Sequence, residues 1–230
     1  MIGLIAGTGF YDVDFLGKAD KEVIKTRFGD ALALVGSNFM LIPRHGPDHN
    51  VPPHKINHKA NITAFKEKGV EEIIGITSAG SLHKDIPVGS IVVPHDFMQF
   101  ADVQTFYDDA AEHITPAIDE GVRRKLLSAG AKLGIELVSR GVYFQTLGPR
   151  LETKSEINLI KDYADIVGMT LASEATLSNE AGLHYAAIST VDNYANGVTD
   201  EVLDFKKVVE SMKGKKENVK KIIKKVLEDE

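Results

Sequence analysis

The 230-residue chain has no cysteine and no tryptophan, and aromatic residues make up only 7% of it. Without a thiol, disulfides, thiolate metal sites and cysteine nucleophiles are all excluded. No apolar run is long enough to span a bilayer. The opening Met1-Ile2-Gly3-Leu4 lacks the basic segment of a secretory signal, and no small-residue cleavage site follows, so a cytoplasmic protein with no membrane partner is expected. Positive charge is also scarce. The formal net charge is -6, whereas a nucleic-acid binder needs a clustered basic face to neutralise phosphates.

What is present is an ordinary globular composition, 43% hydrophobic and 26% charged. Short β-rich runs alternate with amphipathic patterns. Strands are expected at 2–6, 22–27, 31–35, 39–43, 72–77, 90–94, 141–147, 166–169 and 185–191. Helices are expected at 57–68, 121–133, 153–163, 173–182, 201–212 and 217–228. The alternation predicts an α/β fold, a single domain over residues 1–230 with a central mixed twisted β-sheet flanked by helices. In the lysine-rich tail, Val219, Ile222, Ile223 and Val226 recur at helical spacing, which predicts a surface helix docked by one apolar edge.

The first strand runs into Gly7-Thr8-Gly9. A dinucleotide fingerprint would place a third glycine at position 12, and the residue there is Asp12, a carboxylate where a pyrophosphate should lie. A turn that presents backbone N–H groups to a smaller anion remains open, as does a turn that holds nothing. Other expected strand ends carry anion ligands as well. Pro43-Arg44-His45-Gly46 supplies a guanidinium fork suited to phosphate oxygens. Thr77 and Ser78 offer hydroxyls, and Thr170 follows Met169 at a fourth strand end. In open α/β sheets ligands gather at such ends. Histidines at 45, 49, 54 and 58 lack the carboxylate company and spacing of a metal site, so no metal is expected.

Gly7-Thr8-Gly9, Pro43-Arg44-His45-Gly46, Pro53-x-Lys55-x-Asn57-x-x-Ala60-Asn61, Thr77-Ser78-Ala79-Gly80-Ser81-Leu82, Gly148-Pro149-Arg150, Met169-Thr170 and Glu174 occur in one order. In that order they resemble the trimeric purine nucleoside phosphorylases, and most of all their methylthioadenosine phosphorylase branch, over nearly the whole chain. The resemblance implies a pentosyltransferase that needs no cofactor and uses inorganic phosphate as co-substrate. It assigns phosphate to Thr8, Arg44, His45, Thr77, Ser78 and Thr170. The ribose would lie over Met169 and the base against Ala79, Gly80, Leu151 and Val167. Homotrimers are implied, with pairing into hexamers left open, and His113 would reach the neighbouring subunit's pocket. Phosphate would attack C1′ and stabilise an oxocarbenium-like transition state electrostatically. No nucleophile elbow is needed, and none is found.

Two positions depart from the branch. Glu152 stands where methylthioadenosine phosphorylases carry serine, and Asn193 where the adenosine-type enzymes carry an aspartate. A 6-oxopurine presents N1–H as a donor to Glu152, and O6 and N7 as acceptors for the Asn193 amide; a 6-aminopurine reverses the pattern at N1 and the 6-position. Glu152 and Asn193 are therefore the expected catalytic, base-reading pair, although a one-residue shift would put Asp192 in that place. Val208 and Met212 match an apolar 5′ pocket, which favours 5′-methylthioinosine, with inosine and guanosine also accepted. A methylthioadenosine phosphorylase, a nucleoside hydrolase and a non-catalytic nucleotide-sensing scaffold are the alternatives.

Overall fold

Ile2–Ala6 and Phe39–Pro43 are buried at every position, as apolar strands must be when a sheet is covered on both faces. In the computed structural model these runs are β1 and β4. The structure describes residues 1–7, 10, 14–200 and 205–230, and their side chains except those of Asp14 and residues 205–215. The remaining strands are β2 (Asp20–Thr26), β3 (Gly29–Val35), β5 (Glu72–Ser81), β6 (Ile91–Val92), β7 (Asp96–Gln99), β8 (Val142–Gln145), β9 (Ile166–Gly168) and β10 (His184–Tyr194). The helices are α1 (His58–Glu67), α2 (Glu120–Leu133), α3 (Lys154–Ile160), α4 (Leu171–Glu180) and α5 (Phe205–Glu228). No helix among the described residues is long and apolar enough to cross a membrane.

β1 lies between β4 and β5 and runs parallel to both. β10 pairs in parallel along the other side of β5, and short β6 runs antiparallel to β10. The β2–β3 hairpin extends the sheet beyond β4. At its carboxyl end β5 changes partner: Gly80 and Ser81 pair antiparallel with β9, which continues through β8 to β7. The result is the expected mixed sheet with helices packed against it.

The helix starts follow from local chemistry. The Asn57 side chain accepts from Ala60 N at 3.0 Å, and Asp119 caps α2 from Val122 N at 2.8 Å. Thr153 and Glu156 form a capping box at α3, satisfying two otherwise orphaned donors. In the tail, Val219, Ile222 and Ile223 are fully buried, as their spacing predicts. The two helices expected at 201–212 and 217–228 are one, Phe205–Glu228. The chain between them, Lys213-Gly214-Lys215-Lys216, is polar but holds no proline to break the helix. β7 was not expected, because Asp96-Phe97-Met98-Gln99 is too short to show a period.

Candidate active site

β1 stops at Ala6, and its side of β5 is not paired again until Val167 meets Gly80. This break in the hydrogen-bond ladder lies at the carboxyl ends of the parallel strands, where an open α/β sheet collects its ligands. There a cleft of about 560 Å³ opens, within the range of small-molecule sites. Segments from all along the chain wall it: Gly7 after β1, Arg44 and His45 after β4, Ser78–Gly80 on β5, Leu151 and Glu152 before α3, Val167–Thr170 around β9, and Asn193 on β10.

Arg44 is 3% exposed. Its Nε donates to Glu174 Oε1 at 2.6 Å and its Nη2 to Glu174 Oε2 at 3.1 Å, a bidentate pair across 130 residues of chain. Nη1 donates to the Ile76 carbonyl at 2.7 Å and Nη2 also to that of Ile5 at 3.1 Å, which ties the guanidinium to β5 and β1. Tyr185 completes the network, its hydroxyl donating to Glu174 Oε2 at 2.7 Å. Gly7 has to be glycine here: a Cβ would collide with Arg44 Nη1 and with the Ile76 carbonyl. Part of what the glycine turn does is thus to let the arginine lie flat against the strand end.

Next to it, the ring of His45 bonds the Val51 carbonyl through Nδ1 at 2.9 Å. Burial, then the Arg44 charge, pull its pKa down to about 4. His58, at the start of α1, is pulled down to about 3 by burial, Arg44 and His45, and its Nδ1 has no hydrogen-bond partner among the described residues. Both rings are neutral at neutral pH. Unfolded histidines take up protons as pH falls through 6.5, while these two resist until about 4 and about 3, so stability is full above the unfolded value and falls below it. The melting temperature should therefore fall as the pH is lowered from about 6.5 toward about 4, and His58→Phe should make the fall shallower. Equal pH dependence in both proteins by calorimetry would show that His58 is not held neutral.

The Thr77 and Ser78 hydroxyls are not at a strand end, contrary to expectation, because β5 continues through them to Ser81. Thr77 is 2% exposed, shares a 2.7 Å hydrogen bond with Ser189 Oγ, and does not line the cleft. Ser78 does line it, but its hydroxyl donates to Asp192 Oδ2, which also accepts from Thr190 Oγ1 at 3.0 Å. The register of β10 separates the two base-pocket candidates. Val191 pairs with Ala79 and Asn193 with Gly80, so Asp192 is the extra residue of a bulge. Asp192 is 2% exposed behind Ser78, whereas Asn193 lines the cleft and donates from Nδ2 to the Tyr194 carbonyl at 2.8 Å.

Glu152 is 8% exposed, and its Oε1 accepts from Thr146 Oγ1 at 2.6 Å. Its carbonyl accepts from Asn196 Nδ2 at 3.1 Å, so the loop before α3 is fastened to the chain after β10. Asn196 and Thr146 drew no notice in the sequence, because nothing local to either residue marks it. Thr170 is the N-cap residue of α4 and lines the cleft, bringing a helix N-terminus to the same end as Arg44. Arg150 turns outward instead, to Glu156 at 2.7 Å. Of the remaining expected residues, Ala79, Gly80, Leu151, Val167 and Met169 line the cleft. His113 is exposed and outside it. Thr8 and the side chains of Val208 and Met212 lie outside the described residues.

A buried cation beside a helix N-terminus, joined through apolar walls to a carboxylate and an amide, is the build of an α/β protein that binds a small anion together with a planar ligand. The chain belongs to the phosphorylase superfamily, whose sequence pattern matches residues 1–228. It is 42% identical, over 97% of its length and 93% of the relative's, to an Archaeoglobus fulgidus protein named "probable 6-oxopurine nucleoside phosphorylase". It is 38% identical, over 98% of its length and 89% of the relative's, to a Thermodesulfovibrio yellowstonii protein named "probable S-methyl-5'-thioinosine phosphorylase". Its fold superposes on methylthioadenosine phosphorylase from Schistosoma mansoni, solved with adenine. The TM-score is 0.89 at 27% identity, covering 98% of this chain and 90% of that one.

Proposed function

We propose that the protein is a pentosyltransferase that cleaves 6-oxopurine nucleosides by phosphorolysis, with 5′-methylthioinosine preferred and hypoxanthine and 5-methylthioribose 1-phosphate as products. The reading rests on one observation above all. Glu152 and Asn193 stand in the same cleft as Arg44 and Thr170, so a base and a phosphate can be held at once on either side of a sugar. The relatives named for 6-oxopurine nucleosides support it.

Phosphate sits near Arg44, His45 and the first turn of α4, where the backbone of Ser78 adds a donor; Thr8, assigned to the same anion, lies outside the described residues. The Ser78 hydroxyl, committed to Asp192, takes no part as a donor, and Thr77 acts through the backbone it supports. The dianion lies beneath C1′ and stabilises the positive charge that develops as the glycosidic bond breaks. Glu152 accepts the N1–H of the base, and Asn193 donates to N7 or O6 and so stabilises the leaving purine. Met169 supports the ribose. No cofactor enters the reaction. Leu151, which lines the cleft, is 46% exposed, and Leu147 and Phe100 are exposed as well, at 47% and 74%. Apolar surface of that kind suits a subunit interface, and we assign it to a homotrimer in which His113 serves the neighbouring pocket. We assign the apolar 5′ wall to Val208 and Met212, whose side chains lie outside the described residues.

One assay tests the reading. Purified protein is incubated with methylthioinosine, methylthioadenosine, inosine and adenosine, with and without phosphate. Base should be released only with phosphate, and fastest from methylthioinosine. Release without phosphate would make the protein a hydrolase, and faster cleavage of methylthioadenosine would overturn the base assignment.

A further inference from the structure

We infer that the cleft prefers hypoxanthine to guanine, with Thr146 as the residue that sets the preference; the inference rests on the reading that Glu152 faces the N1 edge of the base. The distinction lies in how many donors that edge carries. Hypoxanthine offers N1–H with only C2–H beside it. Guanine offers N1–H and a 2-amino N–H side by side, a pair that matches a carboxylate whose two oxygens are both available, as a guanidinium does.

In this protein one of the two oxygens is already engaged. The Thr146 hydroxyl lies 2.6 Å from Glu152 Oε1. An ionised carboxylate only accepts, so the hydroxyl is the donor. Neither partner is loosely placed. Thr146 follows directly on β8, and its own N–H donates to the Gly168 carbonyl at 2.9 Å. Gln145 before it is clamped to Ser173 through both amide atoms, at 2.6 and 3.1 Å. Glu152 is buried, and Asn196 holds its backbone. Oε2 is left to meet N1–H, which is all that hypoxanthine requires. A forked pairing with guanine has to add a second donor to Oε1 beside the threonine hydroxyl, and sharing that oxygen weakens both bonds, a cost of about five- to tenfold in affinity. Thr146 is a positioning residue: it touches the carboxylate and acts on the base through it.

The test is the affinity of the free bases, hypoxanthine and guanine, measured by calorimetry for the wild type, Thr146→Val and Thr146→Ser. The wild type should bind hypoxanthine about five- to tenfold more tightly than guanine. Thr146→Val, which keeps the shape and loses the donor, should bring the two affinities to within about twofold, and Thr146→Ser should restore the gap. A threonine that served only packing would change both affinities together and leave their ratio where it is in the wild type. An unchanged ratio in Thr146→Val, or a wild type that favours guanine, overturns the inference. Because the readout is base binding, it is independent of whether phosphate cleaves the nucleoside.

Discussion

Replacing Glu174 with alanine should destabilise the protein by about 3–5 kcal/mol, the usual cost of removing one partner from a buried ion pair. Arg44 and Glu174 are both 1% exposed in their side chains, so water cannot take over when either is lost. The guanidinium would keep the carbonyls of Ile5 and Ile76 but lose the carboxylate that faces its Nε and Nη2. The carbonyls are dipoles, not an opposing charge. The Tyr185 hydroxyl would lose its acceptor at the same time. The pocket has no slack in which to rearrange: Gly75 has no Cβ because one there would collide with the Tyr185 hydroxyl. Burial and the negative charge of Glu174 hold the Tyr185 pKa well above its ordinary value, so the phenol stays a donor to the carboxylate. Urea denaturation measures the effect. A loss below about 1 kcal/mol would mean that the pair is solvated in solution.

Glu152→Gln should lower the preference for 6-oxopurine over 6-aminopurine nucleosides by tenfold to a few hundredfold, corresponding to about 1–3 kcal/mol for a mispaired polar group in a largely dry pocket. A carboxylate facing N1 accepts from hypoxanthine and confronts the N1 lone pair of adenine. An amide whose oxygen is held by Thr146 presents its NH₂ to N1 instead, which opposes the hypoxanthine N1–H and can donate to the adenine N1. The measurement is kcat/KM for methylthioinosine and methylthioadenosine in wild type and variant. The selectivity should collapse mainly through a loss on methylthioinosine, with a smaller gain on methylthioadenosine. Should the ratio stay where it is in the wild type, Glu152 does not read the base. Thr146 is expected to remain paired in the variant by donating to the amide oxygen, so the loop before α3 keeps its place and the effect reports the base contact.

How far the cleft could be read beforehand differs from residue to residue. β1 and β4 were legible to the residue because each is a continuous apolar run ended by glycine or by proline and arginine. Arg44 stood out as a candidate anion ligand from its place after such a run, and it lines the cleft. Its burial and its bond to Glu174 were not, since the two are 130 positions apart and nothing local to either records the other. Thr77 and Ser78 looked like strand-end hydroxyls because small residues and a glycine follow them. β5 nevertheless continues, because β10 and β9 arrive from distant parts of the chain to pair with it.

The sequence by itself determined the α/β class, the apolar strands, the helix caps and the set of residue types from which an anion and a purine could be held. Hydrophobic periodicity and capping are local, and local patterns suffice for those. Only the tertiary structure decided between Asp192 and Asn193, turned Ser78 toward a carboxylate and set Thr146 against Glu152. The first two outcomes depend on strand register: a single bulged residue in β10 exchanges which side chain faces the cleft and which is buried behind it.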